Sequence, residues 1–290
     1  MNLFGLNQTA RTLAFGALVG TMATAFAQDT PSKSLYERLG GIHKIAQFVD
    51  ITVDNGMKDP MLLSSKNYAM SAAGFPAPAV KFFVTSYFAS KTGGPQVYIG
   101  PNGAGVEKWF MFTPEQMDRD YTILSDAMKK CGCDQSAVDD FMKWWKDDVA
   151  QAAPVEPTPE MIDNKDSLYG RLGGIVPIAV VVDDFVNILA TDKTVGSNPH
   201  TVAALTDGHV SAAGLKYLVT EQLAQATGGP YKYSGRTMAD SHKDLNINEK
   251  EWAAGGKDLI TALNKNHVPK KEQGEILAII TSTKGDIVKK

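Results

Sequence analysis

In the second half of the chain, apolar side chains fall at helical rather than alternating spacing. Ile178, Val181, Val182, Phe185, Ile188 and Leu189 follow a break at Gly173-Gly174 and predict one amphipathic helix. Leu215, Leu218, Val219, Gln222, Leu223 and Ala226 predict another, ended by Gly228-Gly229-Pro230, because glycine accepts the left-handed turn at a helix end and proline cannot continue the helix. Behind that forced turn, Met238-x-x-x-His242 reads as a short helix carrying one imidazole. Asn248 fits the cap of a further helix with Trp252, Leu259, Ile260 and Leu263 on one side; Pro269 opens a last one carrying Ile276, Leu277 and Ile280. No run reads convincingly as an alternating strand, so the expected fold class is all-α.

The pattern occurs twice. Ser34-Leu35-Tyr36-Glu37-Arg38-Leu39-Gly40-Gly41-Ile42 returns 133 positions later as Ser167-Leu168-Tyr169-Gly170-Arg171-Leu172-Gly173-Gly174-Ile175, with eight of nine residues unchanged. Thr92-Gly93-Gly94-Pro95 returns 135 positions later as Thr227-Gly228-Gly229-Pro230. The same order at near-constant offset implies two tandem copies of one fold, each with four main helices, over residues 28–150 and 167–290. Residues 151–166 read as the linker, in which Ala152 to Pro159 is Pro-rich and poor in large apolar residues, hence extended and semi-rigid.

Composition narrows the class further. At 290 residues, 43% hydrophobic and 21% charged, the chain has the make-up of a soluble globular protein. Its first residues differ: Arg11 is the single charge before an apolar run from Leu13 to Phe26, and Ala25-Phe26-Ala27 is a small-x-small cleavage pattern before Gln28. Residues 1–27 read as a signal peptide, which predicts an exported, periplasmic or secreted protein not integral to the membrane after cleavage. The formal charge of −3 offers no basic stripe for nucleic acid. The only cysteines, Cys131 and Cys133, flank one glycine; two thiols or an intermolecular bridge suit that spacing better than a strained internal disulfide. There is no P-loop, nucleophile elbow or His-Glu-x-x-His. The acidic pairs Asp139-Asp140, Asp147-Asp148 and Asp183-Asp184 read as solvated helix faces.

The remaining motifs act together. Ser-Leu-Tyr-x-Arg-Leu-Gly-Gly-Ile, Val182-Asp183-Asp184-Phe185, Thr227-Gly228-Gly229-Pro230, Tyr233-x-Gly235-x-x-Met238-x-x-x-His242 and Val268-Pro269 in combination resemble group I truncated haemoglobins, over nearly all of Ser167 to Val288. The resemblance implies a two-over-two helical sandwich around a haem, with His242 as the proximal iron ligand and the helix from Leu215 to Ala226 across the opposite face. An imidazole nitrogen binds iron well when its other nitrogen is oriented by a backbone carbonyl or a hydroxyl, for which Ser241 is a candidate. Phe185, Leu215, Val219, Leu223, Met238, Ile247 and Trp252 supply an apolar cage, with Val186 and Tyr233 at neighbouring positions of the pattern. The absence of Cys-x-x-Cys-His excludes covalent c-type attachment and points to haem b.

Two departures bear on mechanism. The family's usual distal tyrosine position holds Val186, and the ligand-facing positions of the covering helix hold Leu215 and Val219; Gln222 and Tyr217 are the nearest polar groups. In the first copy Glu107 stands where His242 stands in the second, His43 cannot reach that position, and Met111 and Met117 are the remaining ligand candidates. The expected first copy is therefore globin-like, without haem, its pocket filled by aromatics such as Phe82, Phe83, Phe88, Phe110, Phe112, Trp144 and Trp145. His200, His209 and His267 are expected in surface loops, His209 being the candidate for a sixth ligand.

These readings make the second copy a site for a diatomic gas (O2, NO or CO) at a pentacoordinate iron. Nitric oxide dioxygenase-like or peroxidase-like chemistry with an unidentified redox partner would extend it. An envelope electron-transfer or haem-holding protein, and a haem-sensing scaffold, are the alternatives from other classes.

Overall fold

The computed structural model describes residues 33–158, 160 and 162–289, so the expected signal peptide lies outside the described residues. The first half runs α1 (Leu35–Arg38), α2 (Gly41–Gly56), α3 (Pro60–Leu63), α4 (Lys66–Gly74), α5 (Ala77–Lys91), α6 (Gly103–Trp109), α7 (Pro114–Lys130) and α8 (Gln135–Gln151). The second runs α9 (Leu168–Arg171), α10 (Ile175–Leu189), a 3-10 turn at Val195–Ser197, α11 (Pro199–Thr206), α12 (Ala212–Ala226), α13 (Met238–His242), α14 (Glu249–Lys265), α15 (Lys270–Ser282) and α16 (Lys284–Ile287). Among the described residues there is no strand, as the apolar spacing predicts.

Local chemistry sets these boundaries. Asn248 and Glu251 form a reciprocal capping box that starts α14, and Thr113 with Gln116 does the same for α7, each satisfying backbone N–H groups that have no partner inside the helix. Gly93 and Gly228 take φ of +95° and +90° just after α5 and α12, a conformation that strains any other residue, and both helices stop there. Pro269 precedes α15 as expected.

Each half has its own core. In the first, Phe88 meets Phe141 and Trp145 edge-on, with ring centroids 5.0 and 5.1 Å apart, and Phe48, Leu124 and Met128 complete the cluster. In the second, Tyr169, Ile175, Ile178, Val182, Leu263 and Ile276 are buried together.

The halves touch. Helices α2 and α5 pack on each other, as do α10 and α12; in addition α2 packs on α12 and α5 on α10. Phe82 and Phe83, expected to fill the first half's own pocket, instead join the second half's core. Phe82 lies stacked on Tyr217, with centroids 5.0 Å apart, and edge-on to Tyr231 at 5.3 Å. The reason is their phase on α5: Phe82 projects from the side that faces α10 and α12, whereas Phe88 projects into the first half's own cluster. At the same contact, a Cβ on Gly214 would come within 2.7 Å of the His43 Cα, so only glycine allows α12 this close to α2. The segment between the halves is held too: the Val155 N–H donates to the Gly105 carbonyl at 2.9 Å, and the Tyr169 hydroxyl donates to Glu160 at 2.6 Å.

Asp139, Asp140 and Asp147 are exposed as expected, whereas Asp148, Asp183 and Asp184 are half-buried. Asp183 pairs with Lys216 (2.7 Å), Asp184 with Lys265 (2.6 Å), and Asp148 accepts from the Tyr87 hydroxyl (2.7 Å), so one member of each of two pairs, and both members of the third, tie helices together. In the first of these pairs it is Asp140, which meets Arg38 at 2.6 Å. Cys131 and Cys133 are free thiols, and burial raises the pKa of both. Among the described residues no helix is long and apolar enough to cross a membrane.

Candidate functional site

Thr237 caps α13 by accepting from the Asp240 N–H, and the five-residue helix ends at His242. The His242 Nδ1 lies 2.9 Å from the Met238 carbonyl oxygen. A carbonyl oxygen only accepts, so in the neutral ring Nδ1 carries the hydrogen and Nε2 keeps its lone pair for a metal. The orienting group is thus the backbone one turn earlier. Ser241 does not serve, because its hydroxyl is directed to the Arg236 carbonyl, 3.5 Å away.

Helix α12 has two faces. Gly214, Tyr217, Glu221 and Ala224, spaced at helical intervals, are buried, with Tyr217 against Phe82 of the first half. Leu215, Leu218, Val219 and Gln222 form the other face and are half-buried. Phe185, Leu215 and Val219 join one apolar cluster with the buried Val186 and Leu223. Met238, Ile247 and Trp252 are half-buried outside that cluster. Tyr233 acts as a tether: its N–H donates to Gln225 Oε1 at 2.6 Å and its hydroxyl to the Arg236 carbonyl at 2.9 Å. Tyr217, one of the two polar groups nearest the expected ligand-facing positions, points the other way and donates to Glu221 Oε1 at 3.2 Å. Gln222 stays on the half-buried face.

The other histidines lie elsewhere. His200, in the first turn of α11, His209 and His267 are exposed. His43 sits in the first turn of α2, against the start of α12, where its carbonyl accepts from the Ser211 hydroxyl at 2.7 Å.

The corresponding place in the first half is closed. Glu107, at the end of α6, is 8% exposed and faces Asp120 of α7. Burial and then the Asp120 charge raise the Glu107 pKa well above the usual carboxylate range; burial pushes Asp120 up to about 7. The Tyr68 ring meets Phe110 at 5.0 Å and Phe112 at 5.3 Å beside them. Of the two methionines considered as ligands, Met111 is 76% exposed and Met117 packs against the first half's core.

Glu221 escaped the sequence reading. It is 2% exposed, and its Oε2 accepts both the N–H and the hydroxyl of Ser234, each at 2.6 Å. The available signal was its phase: Gly214, Tyr217, Glu221 and Ala224 make a stripe opposite Leu215 and Val219, and an acid in a stripe of small and aromatic residues requires partners.

A family model described as bacterial-like globin matches residues 167–289. The group 1 truncated hemoglobin GlbN of Nostoc sp. (strain MUN 8820) is 31% identical over 124 residues, which are 43% of this chain and 98% of that protein. The chain belongs to the group 1 truncated haemoglobins. The group 1 truncated hemoglobin LI410 of Chlamydomonas moewusii is 27% identical over 145 residues, 48% of this chain and 78% of that protein. Among solved structures, the truncated hemoglobin from Tetrahymena pyriformis in its Fe(III) form aligns with all of its chain and 43% of this one, at 24% identity and a TM-score of 0.38.

Membership of the globins implies haem binding, and the residues of this truncated haemoglobin fit that group. His242 offers one imidazole nitrogen free of hydrogen on a helix pinned at its other nitrogen. Helix α12, earlier in the chain, has one face buried in protein contacts and another, Leu215, Leu218 and Val219, that is half-buried and apolar.

Proposed function

We propose that the second half is a haem domain that binds a diatomic gas, O2, NO or CO, at a five-coordinate iron whose protein ligand is His242 Nε2. The observation that carries this reading is the bond from His242 Nδ1 to the Met238 carbonyl, which leaves Nε2 as the ligating atom. Haem supplies an iron with one open position for a gas. The chain supplies the rest: α13 orients the imidazole, Phe185, Leu215, Val219 and Leu223 offer an apolar surface, and Trp252, Met238 and Ile247 add half-buried apolar area. With no Cys-x-x-Cys-His in the sequence, the group is haem b.

Val186 and the apolar face of α12 set ligand preference. A hydrogen bond from the protein to a polar ligand is worth ~1.5–3 kcal/mol, and its loss weakens O2 retention by about one to two orders of magnitude. CO and NO depend less on such a bond. Gas sensing or turnover therefore suits this pocket better than oxygen storage. NO/O2 redox or peroxidase-like chemistry requires an electron donor, and we assign none. Residues 28–150 and 167–290 are read as two copies of one fold, supported by the recurrence of the long helices α2, α5, α7 and α8 as α10, α12, α14 and α15. The first copy is read as haem-free, supported by the Glu107–Asp120 pair and the Tyr68 cluster. Residues 1–27 carry the signal-peptide pattern and support an exported protein.

The test is the visible spectrum of the mature chain, oxidised and reduced, with haem quantified, beside His242→Ala. About one haem per chain, five-coordinate when reduced and without axial imidazole ligation in the variant, is expected. A six-coordinate reduced spectrum would favour electron transfer instead. No uptake after reconstitution with haemin would remove the haem reading.

A further inference from the structure

The helix that carries His242 is short, and what fixes its place relative to α12 matters more than its own sequence. It packs beside α16, and the segment before it is tied to α12 at two adjacent residues. The Tyr233 N–H donates to Gln225 Oε1, and the Ser234 N–H and hydroxyl both donate to Glu221 Oε2. Gln225 is exposed, whereas Glu221 is 2% exposed. The buried bond is the one water cannot replace, so it restrains the segment more strongly.

Two contacts from the first half converge on the same carboxylate. Gln96 Nε2 donates to the Ser234 hydroxyl oxygen at 3.0 Å, and that hydroxyl in turn donates to Glu221. Phe82 stacks on Tyr217, whose hydroxyl donates to the other carboxylate oxygen. Gln96 is itself 4% exposed, and its carbonyl oxygen is buried without a hydrogen-bond partner. An amide buried at that cost is held for what its other end does.

We propose that Glu221 is a positioning residue: through Ser234 it fixes the segment that delivers His242 against α12, and the first half, through Gln96 and Phe82, holds it there. The half of the chain that does not carry His242 thereby helps to set the gap in which the proposed haem would sit. Only the haem-dependent part of the idea rests on that reading; the tether itself does not. Burial raises the Glu221 pKa while the two Ser234 hydrogen bonds lower it, so the Ser234 contact favours the charged carboxylate.

The experiment uses the full-length mature chain and three single variants, Ser234→Ala, Glu221→Gln and Gln96→Ala. Without haem, amide hydrogen exchange is followed across residues 231–242 and, as an internal control, across α7 and α8. Exchange in 231–242 is expected to rise about tenfold in Ser234→Ala and Glu221→Gln and by a smaller factor in Gln96→Ala, with α7 and α8 unchanged. With haem, the iron–histidine stretching band of the reduced protein is expected to shift in the same order of variants, a change that simple loss of stability does not produce. Wild-type exchange in 231–242 for both Ser234→Ala and Glu221→Gln would overturn the proposal, as would an equal rise in α7 and α8. Gln96→Ala lies outside the haem half, so it keeps the test open if Glu221→Gln fails to fold. Failure of the haem reading would appear separately, as His242→Ala retaining its axial ligation while the exchange data stand.

Discussion

Glu107 and His242 lie on short helices 135 positions apart, in the last turn of α6 and at the end of α13. In both halves the residue capping the helix two places earlier, α4 or α11, reaches the backbone just beyond: the Ser65 hydroxyl donates to the Phe110 carbonyl at 2.6 Å, and the Asn198 side-chain amide to the Leu245 carbonyl at 2.9 Å. The two ties are alike, and the side chains around them are not. Tyr68, Phe110 and Phe112 in the first half stand where the second has Thr201, Leu245 and Ile247. The three aromatic rings of the first half pack on one another, whereas the second half has an aliphatic pair and one small hydroxyl at those positions. Similar helix ends can therefore frame different side chains, and the character of a site rests on those side chains rather than on the helices around it.

The strongest way to break the comparison is to cut the halves apart. Phe82→Ala removes a buried ring that belongs by sequence to the first half and by packing to the second, and is expected to cost about 3–4 kcal/mol. Denaturant unfolding followed by the fluorescence of Trp252, the one tryptophan of the second half, should register the loss; an unshifted midpoint would mean that the halves are energetically independent. Gly214→Ala attacks the same contact from the other side by forcing α12 off His43, with an expected cost of about 2 kcal/mol in the same assay.

A smaller effect sharpens the contrast at Glu107 itself. Both carboxyls of the Glu107–Asp120 pair have raised values in the folded chain, so the native state holds more protons than the unfolded one above the ordinary carboxylate range. Stability from this pair is complete in acid and falls as pH rises towards about 7, the value to which Asp120 is pushed. Glu107→Gln should leave stability unchanged below about pH 4 and raise it by about 1–2 kcal/mol above pH 7, flattening the pH profile. A profile identical to that of the parent would show that the pair does not share a proton.

Much of the architecture could be read from the residues because it rests on local rules. Gly228 after α12, Asn248 before α14 and Pro269 before α15 mark helix ends through backbone chemistry that needs no neighbours. The short helix that ends at His242 was legible through the spacing around it. What stayed hidden depends on packing between distant segments. Nothing in Phe82 itself distinguishes it from Phe88, yet one faces the second half and the other its own core. Ser241 was a reasonable orienting group by proximity, but helix geometry had already placed the Met238 carbonyl within reach of Nδ1. Glu221 went unnoticed because its partner Ser234 lies on a separate segment, and only its phase with Gly214, Tyr217 and Ala224 hints at burial.

The stacking of Phe82 on Tyr217 also bears on the order of events during synthesis. These rings are 135 positions apart, so the first half emerges and can fold while the second is still being made. If folded at that point, it can present the Phe82 side of α5 to α10 and α12 as they appear. A chain that completes its first half first would thus offer its second half, through Phe82, part of the core on which to settle.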